Sequence, residues 1–334
     1  MNTGKVKALT EGAIAAALTV LLMVLTVYVP LFAMLSVLIV GLPTMFTTVR
    51  HGGRIAVLSA GAAVLVMIFL LGDLLSTVLL AVTNLLPGLM IGFAIRHRKS
   101  FKTMVFAASG AVLIGLMLEL LLLNASGGGD GIVRLLDGAL ENTRQILNQA
   151  AGQFGETEQA QLLPILETMN QALGRVKELL LLYLPTLVIA MASVMGYGAA
   201  AVGIFMLRRL RIARVPYVPF SMLHATRAMC YLSVILSLVG NLAQDTTVFT
   251  AALQNMSLIL DCFIGVCGLS LIDYKLGEKI SSGYARAGIY LVVLVIGYVA
   301  IGLLAQVLVF LGFLDGLFRF RRFHKVGENH GENK

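Results

Sequence analysis

Two carboxylates, Glu119 and Asp261, lie inside runs of apolar residues that are long enough to cross a lipid bilayer. The runs are Met104–Leu123 and Val248–Ile272. A carboxylate at membrane depth costs several kcal/mol unless it has a partner or faces a water-filled cavity. The pattern therefore predicts a binding or ion site inside a multi-pass membrane protein. A structural ion pair or hydrogen bond is the alternative reading of each residue.

Other polar side chains at membrane depth extend this candidate site. Arg227 lies near one end of its apolar run, where it could pair with Asp273 or reach towards Asp261. Asparagines in membrane helices often form hydrogen bonds between helices, so a packing role is an alternative for them. The full set of candidate ligand-binding residues is Asp261, Glu119, Asn84, Arg227, Asn241 and Asn255.

Composition identifies the class of protein. Of the 334 residues, 58% are hydrophobic and 13% are charged, and the mean hydropathy is +0.91. A soluble domain carries roughly a quarter charged residues, so this chain cannot cover a water-facing surface. The net charge of +8 comes from Lys and Arg clustered between apolar runs, as in cytoplasmic loops, and not from a nucleic-acid site.

Nine apolar runs are candidate membrane helices, since a crossing needs about 17–25 mostly apolar residues. They cover 12–29, 31–49, 55–71, 74–95, 104–123, 179–207, 228–243, 248–272 and 287–314. Basic clusters precede the first run and follow the second, fourth and sixth. They all fall on one side if each run crosses once, which predicts a bacterial cytoplasmic-membrane protein with a cytoplasmic N-terminus.

The last third of the topology is less regular. A single ninth crossing would place the basic tail at 319–325 outside, against the positive-inside rule. Either the run at 287–314 is a bent pair of half-helices opened near Gly297 or Gly302, or the tail is an exception.

Residues 125–178 form a polar insert between the fifth and sixth runs. Apolar residues recur at helical spacing on both sides of a break at Gly152–Gly155, which predicts two amphipathic helices. Three roles are open for these helices: a self-packed cap, a lid over a substrate cavity, or a surface that binds a partner. The fold class is thus an all-α polytopic bundle of about 8–10 spans with an extracytoplasmic hairpin. The predicted parts are 1–124, 125–178, 179–318 and 319–334.

Motifs of soluble enzymes are absent from the sequence. It has no GxxxxGK[ST], HExxH or GxSxG, and its five histidines lack metal-ligand spacing. Cys230, Cys262 and Cys267 lie in apolar runs without a CxxC and indicate neither a disulfide nor a metal. We therefore expect a protein that is not an enzyme and holds no cofactor, and any transport must draw energy from an ion gradient or another subunit.

Small residues spaced four apart mark possible helix contacts in the first run. Ala8, Gly12 and Ala16 form one line, and Ala13 and Ala17 form a neighbouring one. Such spacing allows another helix to approach closely, from the same chain or from a partner subunit.

Several short motifs resemble the YybS-like family of uncharacterised bacterial integral membrane proteins. The C-terminal stretch at 312–322 resembles the family's closing G-L-x-D-x-W-x-D-F-R-K pattern, although Leu317 or Phe318 replaces the tryptophan and Arg319 replaces the second acid. The segments at 10–15, 43–52 and 265–270 resemble the same family. Together these motifs extend over nearly the whole chain, and they do not place the insert at 125–178 on the family pattern.

The first six runs are similar to the substrate-binding subunits of energy-coupling-factor transporters. That resemblance implies that Ala13 and Ala17 dock on a coupling membrane protein driven by ATPases. The leading hypothesis is a small-molecule-binding transport subunit in the lipid bilayer. The alternatives are a membrane scaffold or regulatory subunit that works through the insert, and a membrane-embedded enzyme, for which no catalytic constellation is visible.

Overall fold

The computed structural model describes residues 3–152, 156–213, 218–242, 248–280 and 301–321. Within them the regular structure is helical and contains no strand, which confirms the all-α prediction. The chain divides into two compact units, Met1–Tyr217 and Val218–Lys334. This division rests on contacts within each unit, whereas the boundaries proposed from the sequence follow membrane topology.

Eight helices build the first unit: α1 (Thr3–Tyr28), α2 (Pro30–Ile39), α3 (Leu42–His51), α4 (Gly53–Leu71), α5 (Leu74–Arg96), α6 (Phe101–Ser126), α7 (Gly131–Ala151) and α8 (Glu156–Arg209). The described part of the second unit contains a short 3-10 helix (Phe220–Met222), α9 (Arg227–Leu242), α10 (Val248–Lys279) and α11 (Ile301–Phe318).

Among the described residues, six helices are long and apolar enough to cross a membrane, and three shorter apolar helices accompany them. The second predicted run is not one continuous helix, because α2 ends at Ile39 and α3 begins at Leu42, after Gly41. Pro43 lies in the first turn of α3, where its missing N–H leaves no helical hydrogen bond unmade. The first part of the ninth run lies outside the described residues.

Close backbone contacts hold α3 against α5. A Cβ atom on Gly88 would lie 2.1 Å from the carbonyl oxygen of Gly41, and one on Gly92 would lie 3.0 Å from that of Met45. Neither position has room for a side chain. The two helices therefore pack through backbone, as small-residue contacts in membranes allow.

The insert folds as a helical hairpin. Helix α7 packs against the first half of α8, and Lys177 pairs with Asp137 at 2.6 Å. The sequence placed a boundary between the insert and the sixth run, but α8 continues for 54 residues through both. Helical hydrogen bonding does not stop where the surroundings change from aqueous to apolar, so one helix serves both environments.

Four helices of the first unit are followed by a residue in the left-handed conformation, which is glycine in two cases and arginine in the other two. Gly72 (φ +69°) and Gly128 (φ +66°) follow α4 and α6, whereas Arg98 (φ +52°) and Arg211 (φ +54°) follow α5 and α8. Glycine adopts this left-handed conformation at no steric cost, but arginine there adds a cation beside the helix C-terminus. At the start of α5, hydrogen bonds from Ser76 and the Leu75 N–H hold the pKa of Asp73 below its usual value.

In the second unit, α9 is antiparallel to α10, because Ser233 contacts Asp261 and the later Gly240 contacts the earlier Gln254. Along α10 and α11 the contacts advance together, from Gly268 with Gly312 to Ser270 with Arg321. Helices α10 and α11 therefore run in the same direction, and their backbones touch at Gly268 and Gly312.

The common direction places the C-terminus of α11 at the same end of the unit as the basic end of α10 around Lys279. The basic tail thus starts at the same end of the second unit as Lys279. A bent pair of half-helices at 287–314 would give the same placement.

Candidate ligand-binding site

Asp261 lies near the middle of α10, in an open groove formed by α9, α10 and α11. The groove has a volume of about 710 Å³. Its polar lining residues are Ser233, Ser237, Asp261 and Gln306, and the remaining eight are apolar. Sites for small organic molecules combine a volume of about 300–1,000 Å³ with a few polar groups on an apolar wall. The groove meets both conditions.

A hydroxyl fixes one oxygen of the Asp261 carboxylate. Ser233 Oγ donates to Oδ1 at 2.5 Å, and Ser233 itself is buried. Asp261 is half-buried, and the described residues offer no donor to Oδ2. The arrangement holds the carboxylate in one orientation and leaves its second oxygen for a ligand.

Glu119 belongs to a second carboxylate–hydroxyl pair, in the first unit. Thr83 Oγ1 on α5 donates to Glu119 Oε1 on α6 at 2.7 Å. One turn before Glu119, a Cβ on Gly115 would lie 2.7 Å from the Cα of Thr83, so the two backbones are in contact there. Gly115 therefore lets α6 come close enough for the pair to form. Glu119 and Asp261 lie in different units, each with its own hydroxyl partner.

Asn84 follows Thr83 on α5 and is only 3% exposed. Its Nδ2 donates to the carbonyl of Leu80 at 2.8 Å, one turn back on the same helix. Its Oδ1 is buried without a hydrogen-bond partner among the described residues. Asn84 thus lies beside the Glu119 pair and not at the Asp261 groove.

Two of the remaining predicted polar residues do not line the groove. Arg227 begins α9 and is exposed. Asn255 is half-buried on α10, where its Nδ2 donates to the carbonyl of Ala251 at 2.9 Å. Asn241 lies in α9, but its side chain lies outside the described residues. Among the predicted residues whose side chains are described, only Asp261 lies at the groove.

The two small-residue lines of α1 have different surroundings. Gly12 is buried against Ile55 of α4, and its carbonyl accepts a hydrogen bond from Ser59 Oγ at 2.7 Å. Ala13 and Ala17 are exposed. The first line packs α1 within its own unit, and the second leaves small side chains on the surface of that unit.

A buried ion pair at one end of the second unit was not predicted. Arg321 Nε lies 2.9 Å from Asp315 Oδ2, and each side chain is 2% exposed. The two atoms are not aligned as a hydrogen bond. Arg321 also donates to the carbonyls of Ser221 and Cys267 and to Ser270 Oγ. It ties the short 3-10 helix and the end of α11 to α10.

Both residues of this ion pair belong to the C-terminal motif at 312–322, which contains the sequence features that could have predicted it. Asp315 is a lone acid in an apolar helix, and Arg321 follows the helix end. Arg319 (φ +51°) turns the chain at that end, so the pairing depends on a backbone conformation that residue types alone do not predict.

The segments behind the family resemblance meet pairwise in the structure. In the first unit, Glu11 Oε2 lies 2.7 Å from His51 Nε2 and 3.1 Å from Arg50 Nη1. In the second, the 265–270 segment contacts the 312–321 segment through Gly268, Gly312 and Arg321. The resemblance therefore marks helix contacts at the ends of both units.

The described residues contain no cluster of three His, Cys, Asp or Glu that could hold a metal ion. The three cysteines are free. The described lining of the groove holds one carboxylate and no second ionisable side chain.

Comparison with known proteins places the chain in a family. It is 24% identical to the "Uncharacterized protein YybS" of Bacillus subtilis (strain 168) over 320 residues, covering 94% of this chain and 97% of that protein. No solved structure matches. A family model described as "Predicted membrane protein (DUF2232)" matches residues 17–316. This confirms the YybS-like resemblance, whereas similarity to energy-coupling-factor subunits has no support in these comparisons. The chain belongs to the DUF2232 family of predicted membrane proteins.

Proposed function

We propose that this protein is a small-molecule-binding subunit of a transport system in the bacterial cytoplasmic membrane. The observation that supports it best is the groove around Asp261, where a half-buried carboxylate with one free oxygen lies on a mostly apolar wall. An ionisable residue at membrane depth is costly and usually serves a substrate or ion pathway. The protein binds and moves its ligand without chemical conversion.

The energy for transport comes from partner subunits. The sequence has no phosphate-binding GxxxxGK[ST] motif. The exposed Ala13 and Ala17 on α1 allow a second membrane helix to approach closely. In our proposal that helix belongs to a coupling membrane protein driven by ATPases, as in energy-coupling-factor transporters. The N-terminus and the basic helix ends then face the cytoplasm.

Ligand binding is tested by purifying the protein in mild detergent and identifying extracted small molecules by mass spectrometry. Wild type is compared with Asp261→Asn, which keeps the side-chain shape but removes the charge. Asp73→Asn is the matched control, because Asp73 is an exposed helix cap far along the chain from the groove. A near-stoichiometric molecule in wild type and control, lost in Asp261→Asn, supports the proposal. Wild type without any such molecule overturns it.

Partner docking is tested separately by co-purification. Replacing Ala13 and Ala17 by Leu fills the space that a partner helix would occupy, whereas Ala62→Leu fills an exposed position on α4. We expect a coupling membrane protein and its ATPases to be recovered with wild type and Ala62→Leu but not with the double variant. Recovery of the same partners with all three proteins would contradict docking at this face.

A further inference from the structure

We propose that the groove binds a hydrophobic organic cation at Asp261. This inference uses the groove of the proposed function and adds the chemical class of its ligand. It depends on the proposed function only through that shared groove.

The charge of the groove comes from a single group. Among its twelve lining residues Asp261 is the only ionisable one, and none is basic. Lining residues from all three helices are otherwise uncharged: Ser233 and Ser237 on α9, Leu258 on α10, and Gln306 on α11. A lone carboxylate at membrane depth needs a counter-charge. In this groove a bound cation supplies the counter-charge.

The carboxylate geometry suits a cation and excludes an anion. Ser233 supplies the one hydrogen bond that the described residues give to Asp261, on Oδ1. Oδ2 keeps its electron pairs for an incoming positive charge. The side-chain carbonyl of Gln306 adds a second acceptor to the lining.

The apolar walls define the rest of the ligand. Phe310 and Phe313 line the groove on α11, and Leu238 and Leu258 line it on α9 and α10. Aromatic faces attract cations within about 6 Å of the ring centroid. A volume of about 710 Å³ accommodates a drug-sized molecule. The ligand therefore combines a positive centre with an apolar body.

The test uses benzyltrimethylammonium, a permanent cation that carries no exchangeable proton, and benzyl alcohol as a neutral comparator. Binding of each probe to purified full-length protein in detergent solution is measured by calorimetric titration. We expect wild type and Asp73→Asn to bind the cation with equal affinity. Benzyl alcohol should bind at least tenfold more weakly.

Asp261→Asn should lose cation binding, and Ser233→Ala should weaken it about tenfold. Cation binding that is unchanged in Asp261→Asn, or equal binding of benzyl alcohol and the cation, overturns the inference. Failure of the two proposals is distinguishable. A neutral or anionic molecule that co-purifies and depends on Asp261 would leave the proposed function standing and contradict this inference. Cation binding by a protein that recovers no coupling partner would do the reverse.

Discussion

At the scale of single residues, Asp315 and Arg321 show how a charge is accommodated inside the second unit. Both side chains are 2% exposed, and neither carboxylate oxygen of Asp315 has an aligned hydrogen-bond donor among the described residues. The negative charge therefore depends on the nearby guanidinium. Removing one member of a buried pair costs about 3–5 kcal/mol, because the other charge is left uncompensated.

Arg321→Met should accordingly lower the unfolding free energy by about 3–5 kcal/mol. Thermal unfolding in detergent measures this, with Arg227→Met as the control, because Arg227 is an exposed arginine on the same unit. The double variant Asp315→Leu with Arg321→Met should be more stable than Arg321→Met alone, since it leaves no buried charge. If the double variant is the less stable of the two, the pair does not act as described.

The sequence predicted some of these residues better than others. Depth in an apolar run was enough to identify Glu119 and Asp261 as candidate site residues. Their partners, Thr83 and Ser233, were not identified, because hydroxyl residues are common in membrane helices and the contact depends on how two helices face each other. Arg227 illustrates the same limit, since its place at the start of α9 was predicted but not its position outside the groove.

At the scale of helices, glycine decides how closely α10 and α11 approach. A Cβ on Gly312 would lie 1.9 Å from the carbonyl oxygen of Ile264, and one on Gly268 would lie 2.0 Å from that of Leu308. These contacts set the spacing of two walls of the groove. By contrast, a Cβ on Gly302 of the same helix α11 meets nothing within 4 Å.

Gly312→Ala should therefore force the two helices apart and destabilise the protein by about 1–3 kcal/mol. Gly302→Ala should be neutral or slightly stabilising, because alanine is the better helix former and has space there. Thermal unfolding of both variants under the same conditions makes the comparison. Equal midpoints for the two would show that the backbone contact at Gly312 is not tight.

The helices themselves were largely predictable, and their connections were not. Long apolar runs predicted α1, α4, α5 and α6, because length and composition suffice for a membrane helix. The break at Gly41 depends on packing against Gly88, which no local pattern contains. The sequence did not predict that α8 is continuous, because its pattern changes from amphipathic to apolar within a helix that does not end there.

At the scale of the whole molecule, the direction of α11 bears on the side of the membrane on which the basic tail lies. The charge rule alone left the C-terminus unassigned, since a single ninth crossing would have put the tail outside. Contacts of Gly312 and Arg321 with α10 place Arg319 at the same end of the second unit as Lys279. We therefore expect Lys279 and Arg319 to lie on the same side of the membrane, which the positive-inside rule predicts to be the cytoplasm.

Cysteine labelling in intact cells tests this topology. In a background without Cys230, Cys262 and Cys267, single cysteines are placed at Gly138 in α7, at Lys279 and at Arg319, all exposed in the structure. A membrane-impermeant maleimide should label position 138 from outside, because the charge rule predicts that the hairpin is extracytoplasmic. Positions 279 and 319 should react only after permeabilisation. Labelling of position 319 but not 279 from outside would separate the two helix ends and contradict the parallel arrangement of α10 and α11. The groove would then lack the wall that places Phe310 and Gln306 beside Asp261.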